Sequence, residues 1–356
     1  MSDLLWSEHE AEFQQVVDAA FQYECTTYPE YYAHLSPKVE RIIYRDTRYN
    51  ADFLYTSCLL QDDRVMEDYA RWLYVLLASI LKDRQLPTTT AEYVADNFVA
   101  LRHGVEAAAR EEAKPGLLRL LDVAVASVEA AAKEPLPEKI PEKPCRYEPQ
   151  VQAYMESLLH KDSRKSMLLV KQFTEQGIPL NDLYVEILAE SMRRVGQLWH
   201  TNQITVDTEH YCTSVTQMAM AQMYPGLFDT ERRNRTLLCA CPGNELHEMG
   251  ARMVADLFEN DGWDSIYLGA AVPEDSLLES VRESDPDLIA LSVTMPQHLM
   301  PCRDAVFALK KAFPDCKVAV GGRAFQVADG LWKQWPVDVY AADARELLKK
   351  ADALFD

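Results

Sequence analysis

Residues 236–250 read TLLCACPGNELHEMG, an apolar run followed by a Pro-Gly break and a polar loop that leads into a helix-length segment. Four more short apolar runs follow, each with its own helix-length segment: DSIYLG, DLIALSV, CKVAVGG and VDVYAAD. Strands that are buried on both faces read as continuous apolar runs, and their alternation with helices is typical of parallel sheets. The pattern predicts a five-stranded, doubly wound, flavodoxin-like Rossmann domain over residues 231–356.

Upstream of this domain the hydrophobic pattern is helical. Residues 151–230 carry apolar side chains at helical spacing, which predicts a four-helix-bundle cap. Residues 133–150, KEPLPEKIPEKPCRYEPQ, hold five prolines and predict an extended linker. Residues 1–132 repeat apolar side chains at i, i+3 and i+4 and predict an all-α domain. The predicted fold class is therefore multidomain, α followed by α/β.

The composition is acidic: 36 Lys and Arg against 56 Asp and Glu in 356 residues give a formal charge of −20. Such a chain repels phosphate backbones, so we expect no direct binding to nucleic acid. The opening segment MSDLLWSEHEAEF is acidic and no long apolar run occurs, so we expect a cytoplasmic protein with no membrane span. The cysteines form no CxxC pair, which argues against a zinc site and against thiol exchange.

His247 is the candidate metal ligand. It follows the first predicted strand, and Glu245, two residues earlier, can hold one of its ring nitrogens. The carboxyl ends of parallel strands meet at one edge of a sheet, so Ser292 and Thr294 after the third strand should lie nearby. The glycine pair at 321–322 ends the fourth strand and allows a bulky ligand to approach the backbone.

This spacing resembles the signature of cobalamin-binding domains. ExHxxG at 245–250, SxT at 292–294 and GG at 321–322 stand where the family has DxHxxG, SxL and GG. In that family the histidine becomes the lower ligand of cobalt and the nucleotide tail of the cofactor enters the sheet, so the resemblance implies that His247 ligates cobalt. It also implies cobalamin contacts from Glu245, Leu246, Glu248, Met249, Gly250, Ser292, Thr294, Gly321, Gly322 and Phe325.

The predicted cap carries Trp199, nine further residues, and then Glu209-His210. This spacing is similar to the motif of light-sensing cobalamin domains, whose chromophore is adenosylcobalamin. The resemblance implies that Trp199, Val206 and Glu209 contact the adenosyl group and that His210 becomes the upper cobalt ligand after light. It further implies a non-catalytic photoreceptor that signals through a light-dependent homo-oligomer and a separate downstream effector.

Two other functions are compatible with the same signature. A corrinoid methyl carrier of a methyltransferase system shares the arrangement of bundle and sheet, and it is the enzymatic alternative. Such a carrier opens its upper face to partner enzymes, so the motif from Trp199 to His210 favours the sensor. An interaction module with a vestigial cobalamin pocket is the third alternative.

The front domain is similar to globin-like or phycobilin-like sensor domains in its size, helical pattern and aromatic content. Together with a light-sensing cobalamin domain, that arrangement resembles the photocobilins, which pair cobalamin with biliverdin. Haem, with His103 as its proximal ligand, is the competing cofactor. The candidate bilin contacts are Arg48, Tyr49, Arg102 and His103, and the thioether candidate is Cys58.

Overall fold

The computed structural model of the protein describes residues 10–82, 86, 88–136, 145–228 and 230–355. The chain divides into two compact units, unit 1 from Met1 to Leu136 and unit 2 from Pro137 to Asp356. This division falls within the predicted linker, of which residues 137–144 lie outside the described residues. The two units are considered one at a time below.

The described part of unit 1 contains helices and their connections. The helices are α1 (Glu10–Thr27), α2 (Pro29–Ala33), α3 (Pro37–Leu60), α4 (Asp63–Leu81), α5 (Thr90–Ala108) and α6 (Lys114–Ala131). Local signals fix several helix starts. The Asp62 side chain accepts the Arg64 N–H before α4, and Thr89 and Glu92 form a capping box at α5. The resemblance of this unit to globin-like domains stays a prediction.

Part of the aromatic content of unit 1 packs between α3 and α4. The rings of Phe53 and Tyr69 stack with centroids 3.7 Å apart and an interplanar angle of 8°. The buried hydroxyl of Tyr69 donates to Asn50 Oδ1 at 2.7 Å, as a buried phenol requires. Across the described ranges of both units, no helix is both long and apolar enough to cross a bilayer.

Unit 2 begins with the helical cap. Its helices are α7 (Glu148–Leu159), α8 (Ser163–Glu175), α9 (Leu180–Asp182), α10 (Ala189–His200) and α11 (Val206–Met223). A π-helical turn, Leu183–Leu188, connects α9 to α10 without a break. The predicted linker ends earlier than expected, because Pro149 lies in the first turn of α7, where a missing N–H costs nothing.

The remainder of unit 2 is a five-stranded parallel sheet, which confirms the predicted Rossmann-like arrangement. The strand order is β2-β1-β3-β4-β5, and every pairing is parallel. The strands are β1 (Thr236–Pro242), β2 (Asp264–Val272), β3 (Leu288–Ser292), β4 (Lys317–Gly321) and β5 (Val339–Ala341). The helices are α12 (Met249–Asn260), α13 (Glu274–Ser284), α14 (Leu299–Ala312), α15 (Arg323–Val327) and α16 (Ala344–Phe355).

The cap and the sheet domain share one hydrophobic core. Met253 and Leu257 of α12 are buried within the apolar cluster of the cap. A buried hydrogen bond reinforces this contact, because the Tyr184 hydroxyl of the π-helical turn donates to Asp256 Oδ2 of α12 at 2.9 Å. The cap is therefore fixed against α12, the helix that follows the first strand.

Candidate functional site

His247 lies on the loop between β1, which ends at Pro242, and α12, which begins at Met249. The side chain of Glu245 turns back onto it. Glu245 Oε1 lies 2.6 Å from His247 Nδ1 and accepts the His247 backbone N–H at 2.9 Å. An imidazole that donates its Nδ1–H to a carboxylate keeps Nε2 as the metal-binding nitrogen. The His247 side chain is 57% exposed, so a ligand can reach the ring.

Glu245 is fully buried and its second oxygen is also satisfied. Oε2 accepts the backbone N–H groups of Thr294 and Met295, each at 2.8 Å. Burial alone would raise the pKa of Glu245, but the hydrogen bonds from His247 and Met295 lower it to about 2. In turn, the hydrogen bond to Glu245 raises the pKa of His247. One carboxylate thus ties the His247 loop to the end of β3.

Four of the predicted residues, Gly250, Ser292, Gly321 and Gly322, line a cavity of about 210 Å³. The rest of its wall is mostly small or apolar and comes from β1, β3, β4, β5, α12, α16 and the π-helical turn of the cap. Apolar walls with few polar groups favour an uncharged ring over a charged group. The cavity therefore suits a heterocyclic base.

The end of β4 turns sharply beneath this cavity. Gly322 has φ +99°, and a Cβ atom there would lie 2.2 Å from the carbonyl oxygen of Val293. Only glycine fits such an approach. The predicted contact residue Phe325 is not part of the cavity wall: it is buried, with its ring centroid 5.6 Å from Trp335 and 6.4 Å from Tyr340.

The cap residues of the predicted motif lie at the ends of two helices. Trp199 is in the last turn of α10, and Val206 is the first residue of α11. Trp199 is partly buried, whereas Val206 is 50% exposed. An apolar side chain with half of its surface uncovered at a helix start is free to pack against a ligand.

Glu209 and His210 lie in the first turn and a half of α11. His210 Nδ1 lies 2.7 Å from Glu209 Oε2, and the Thr213 hydroxyl donates to Glu209 Oε1 at 2.8 Å. The His210 side chain is 72% exposed. Besides the hydrogen bond to Glu245, the charge of Glu209 helps to raise the pKa of His247.

Comparison with protein families gives two matches, both described as a B12 binding domain. One covers residues 150–224 and the other covers residues 235–349. Unit 2 carries B12-binding domains. The first match coincides with the cap and the second with the sheet, so both halves of the site belong to a B12-binding arrangement.

Individual relatives point to two kinds of protein. The HTH-type transcriptional repressor CarH of Myxococcus xanthus is 28% identical over 194 residues, 51% of this chain and 64% of that protein. Dimethylamine corrinoid protein 3 of Methanosarcina acetivorans is 23% identical over 216 residues, 57% of this chain and 99% of that protein. The chain thus spans less than two thirds of the repressor's length.

A solved structure supports the fold of the same region. The monomethylamine corrinoid protein of Methanosarcina barkeri aligns with a TM-score of 0.52 at 19% identity, over 58% of this chain and 99% of that chain. This likeness concerns the fold. It agrees with a helical cap packed against a five-stranded parallel sheet.

The residues of the B12-binding domains fit a corrinoid. His247 offers one imidazole nitrogen that would be able to ligate cobalt, and Glu245 already orients the ring. The adjoining cavity has the apolar walls that a benzimidazole base requires. Ser292 and Gly250 lie on that wall.

Glu248 connects the His247 loop to the cap, a role that sequence reasoning did not reveal. Its Oε1 accepts from Gln217 Nε2 of α11 at 2.9 Å, and its Oε2 accepts from the Tyr267 hydroxyl at 3.0 Å. Two other predicted cobalamin contacts lie close to Glu248 in the sequence. Leu246 is 71% exposed, whereas Met249 packs against the apolar cluster of the cap. Two separate elements, α11 and β2, therefore contact this carboxylate, and nothing in the local sequence marks its partners.

The candidate bilin contacts of unit 1 lie on two helices, Arg48 and Tyr49 on α3 and Arg102 and His103 on α5. Arg102 pairs with Asp122 of α6, and the His103 ring stacks on Tyr23 of α1 at a centroid distance of 3.8 Å. Tyr49 is 37% exposed. None of these four side chains is in the lining of the cleft around Glu24 and Tyr32.

The thioether candidate Cys58 lies on α3 and is partly buried. Burial raises the pKa of the Cys58 thiol. Because the thiolate is the nucleophilic form, this environment lowers the reactivity of the cysteine. Covalent attachment of a bilin at Cys58 therefore stays a prediction that the surroundings do not favour.

A cleft of tyrosines and carboxylates in unit 1 was not predicted. Glu24 is 5% exposed and accepts from the Tyr32 hydroxyl at 2.6 Å, and nearby the Tyr28 hydroxyl donates to Asp96. The cleft is lined by Glu24, Tyr28, Tyr31, Tyr32, Thr88, Tyr93, Asp96 and Asn97, and this lining contains no basic side chain. Burial raises the pKa of Glu24 to about 7, although the Tyr32 hydrogen bond opposes the shift.

We expect the difference in free energy of unfolding between the Glu24→Gln variant and wild type to depend on pH, because Glu24 is buried. A raised carboxyl pKa means that its stabilising contribution is complete below about pH 4.5 and is lost as the pH rises through about 7. The variant should match wild type at pH 5 and should exceed it at pH 8 by about 2 kcal/mol in free energy of unfolding. Urea unfolding at both pH values measures the difference. An equal difference at pH 5 and pH 8 would contradict the raised pKa.

Proposed function

We propose that this protein is a light sensor that uses adenosylcobalamin as its chromophore. Adenosylcobalamin supplies a cobalt–carbon bond that visible light breaks. His247 would hold the lower face of the corrin, with Glu245 fixing its tautomer and the apolar cavity taking the tail. Trp199, Val206 and Glu209 would hold the adenosyl group from the cap.

The observation that carries the proposal is the hydrogen bond that ties the cap to the loop of His247. Gln217 of α11, the helix that also bears Glu209 and His210, donates to Glu248, the residue after His247, at 2.9 Å. The negative charge of Glu209 also helps to raise the pKa of His247. A change of contacts on the upper face would therefore be felt by the cap, and surfaces formed by the cap would change with it.

Illumination tests this proposal. The protein is loaded with adenosylcobalamin in the dark, and its absorption spectrum and molar mass in solution are measured before and after white light. We expect a rapid spectral change and a change in oligomeric state, as proposed for a light-dependent homo-oligomer. Identical spectra in dark and light would refute the sensor.

The upper ligand is tested by two histidine variants. We propose His210, which is largely exposed at the start of α11, and the matched variant is His200, the last residue of α10. The His210→Ala protein should lose its adenosyl group in light yet fail to give the wild-type product spectrum, whereas His200→Ala should give it. The reverse outcome would assign the upper position to His200 and would leave the light sensor intact.

A corrinoid methyl carrier is the second candidate function. It is favoured by the match to dimethylamine corrinoid protein 3 of Methanosarcina acetivorans, which covers 99% of that protein. Methyl transfer to and from the loaded protein by a partner methyltransferase, without any response of its quaternary structure to light, would support this function over the sensor.

For unit 1 we propose a second chromophore, biliverdin. The support is the resemblance to the photocobilin arrangement together with the aromatic content of the unit. Reconstitution with biliverdin should produce a far-red absorption band. Reconstitution with haem should not produce the Soret band of a bound haem whose iron is ligated by His103. A haem spectrum that disappears in His103→Ala would overturn the choice of biliverdin.

A further inference from the structure

The cavity of about 210 Å³ in unit 2 has a floor of small side chains on the sheet. Cys239, Ala290 and Ala319 are register partners on β1, β3 and β4, and all three line the cavity. Two residues further along β3 and β4, on the same face of the sheet, Ser292 pairs with Gly321. Small side chains in two adjacent rows leave room for a planar ring against the strands.

Helices and the cap supply the rest of the wall, and they supply apolar side chains. Met253 and Val254 come from α12, Leu347 from α16, Val185 from the π-helical turn and Ala189 from the first turn of α10. The cavity is therefore complete only where the cap packs against the sheet domain.

The cavity reaches the surface close to His247. Gly250, Ala342 and Asp343 line it and are exposed, so the cavity is open at this end. Gly250 follows His247 by three residues, in the first turn of α12. A base that belongs to a corrinoid bound at His247 can therefore enter the cavity from outside.

Few polar side chains belong to the lining. Only Cys239, Ser292 and Asp343 bring a thiol, a hydroxyl or a carboxylate to the described wall. The Cys239 thiol already donates to the Ala251 carbonyl oxygen at 3.2 Å. Asp343, at the exposed end, accepts the Glu346 N–H at 2.9 Å. Among these three side chains, Ser292 is the one whose donor remains for a ligand inside the cavity.

The number of donors distinguishes the heterocyclic bases that cobamides carry. A benzimidazole joined to its ribose has one free ring nitrogen, which one hydroxyl can satisfy. An adenine joined through a ring nitrogen keeps three ring nitrogens, all acceptors, and an amino group. Ser292 can donate to one of these nitrogens and Asp343 can accept from the amino group, so two acceptors stay unpaired. Polar atoms that leave water for an apolar wall without a partner weaken binding.

We propose that this cavity selects cobamides by their lower base and takes benzimidazoles in preference to purines. The Ser292 hydroxyl donates to the one free nitrogen of the benzimidazole, and the apolar wall covers the remainder of the ring. The inference rests on the corrinoid binding of the proposed function, in which His247 replaces the base on cobalt. It requires no response to light.

Binding in the dark tests this selection without any mutation. The probes are two cobamides with a methyl upper ligand, one with benzimidazole and one with adenine as its lower base, each titrated against the wild-type protein by absorption. The two bases match in ring size, so the comparison separates polarity from volume. Each affinity is corrected for the equilibrium by which the free cobamide releases its base from cobalt, which acid titration of its spectrum measures.

After this correction we expect the adenine cobamide to bind at least about tenfold more weakly than the benzimidazole cobamide. Equal corrected affinities, or tighter binding of the adenine cobamide, would overturn the proposal. A failure of both cobamides to bind would overturn it together with the proposed function.

Two variants of Val185 assign the effect to the wall. Val185→Asn adds an amide with donors and an acceptor, and the affinity of the adenine cobamide relative to the benzimidazole cobamide should rise at least about threefold. Val185→Leu is the matched control, because leucine has about the size of asparagine without its polar atoms, and it should leave this ratio within about twofold of wild type. The free cobamides are the same in every titration, so their base release cancels. An unchanged ratio in Val185→Asn, or an equal rise in both variants, would overturn the assignment.

The outcome is separable from that of the light sensor. Selection between the two bases without any spectral response of the adenosylcobalamin complex to light would leave this inference standing and would refute the sensor. A light response without selection would do the opposite.

Discussion

Replacing Gly322 with alanine is expected to lower the free energy of unfolding by about 3 to 5 kcal/mol. The backbone at Gly322 has φ +99°, a region that side chains avoid, and the added Cβ would lie 2.2 Å from the Val293 carbonyl oxygen and 2.8 Å from its carbon. Both atoms belong to rigid backbone, so the end of β4 must move away from the segment that follows β3. Urea unfolding of the cofactor-free protein measures the loss.

Gly177→Ala is the matched control for this change. Gly177 also has a positive φ, +80°, but a Cβ atom there would meet nothing within 4 Å. The control should therefore lose only about 1 kcal/mol, the cost of the backbone conformation alone. Equal losses in the two variants would show that the close approach to Val293 does not matter. Because Gly322 lines the cavity, we also expect Gly322→Ala to lose corrinoid binding while Gly177→Ala retains it.

Glu245→Ala is expected to cost about 3 to 5 kcal/mol in free energy of unfolding at neutral pH. The fully buried carboxylate accepts from three backbone N–H groups, those of His247, Thr294 and Met295, and from the His247 ring. Its removal leaves these donors without an acceptor and unties the His247 loop from β3. Corrinoid affinity should fall by about 10- to 100-fold, because the ring loses the group that orients it.

The pH dependence identifies the cause of this loss. The pKa of Glu245 is lowered to about 2, so its contribution is complete above about pH 4.5 and is lost as the pH falls through about 2. The difference between wild type and Glu245→Ala should therefore shrink in acid. Glu175→Ala, which removes an exposed carboxylate 3.7 Å from Lys171, is the control and should stay within about 0.5 kcal/mol of wild type. A difference that does not vary with pH would contradict the role of the ionised carboxylate.

The sheet could be predicted from the sequence because buried parallel strands appear there as short, continuous apolar runs. The interior positions of β1 and β3 are almost fully apolar, and each predicted run coincides with a strand. The contact between Glu245 and His247 was also within reach, since a separation of two residues on one loop allows direct contact. These features depend on neighbours in sequence.

Features that depend on distant backbone were not predictable. The N–H groups of Thr294 and Met295 hold Glu245 whatever their side chains are, so no residue type indicates them. The contacts of Glu248 with Gln217 and Tyr267 depend on how α11 of the cap and strand β2 are placed in three dimensions, which the local sequence does not indicate. Phe325 follows the glycine pair as a ligand contact would, yet the packing of α15 turns it towards Trp335.

In unit 1 the sequence predicted helices and aromatic packing, but it did not predict which tyrosines face a buried carboxylate. Periodicity shows that Glu24 and Tyr32 belong to neighbouring helical segments, whereas their burial depends on how α5 packs against α1. The cofactor of this unit depends on which side chains line its cavities, and helical periodicity alone does not show that.

The π-helical turn at Leu183–Leu188 continues directly into α10 and sets the rotation of α10 about the helix axis. Such a turn amounts to one inserted residue within an α-helix, and each residue of an α-helix advances the chain by about 100°. Deleting a single residue from this turn would keep α10 helical but would rotate it about its own axis by roughly that amount. The side chains of Trp199 and His200 would then point in a different direction. The orientation of these cap side chains therefore depends on a turn that lies some three helical turns before them in the sequence.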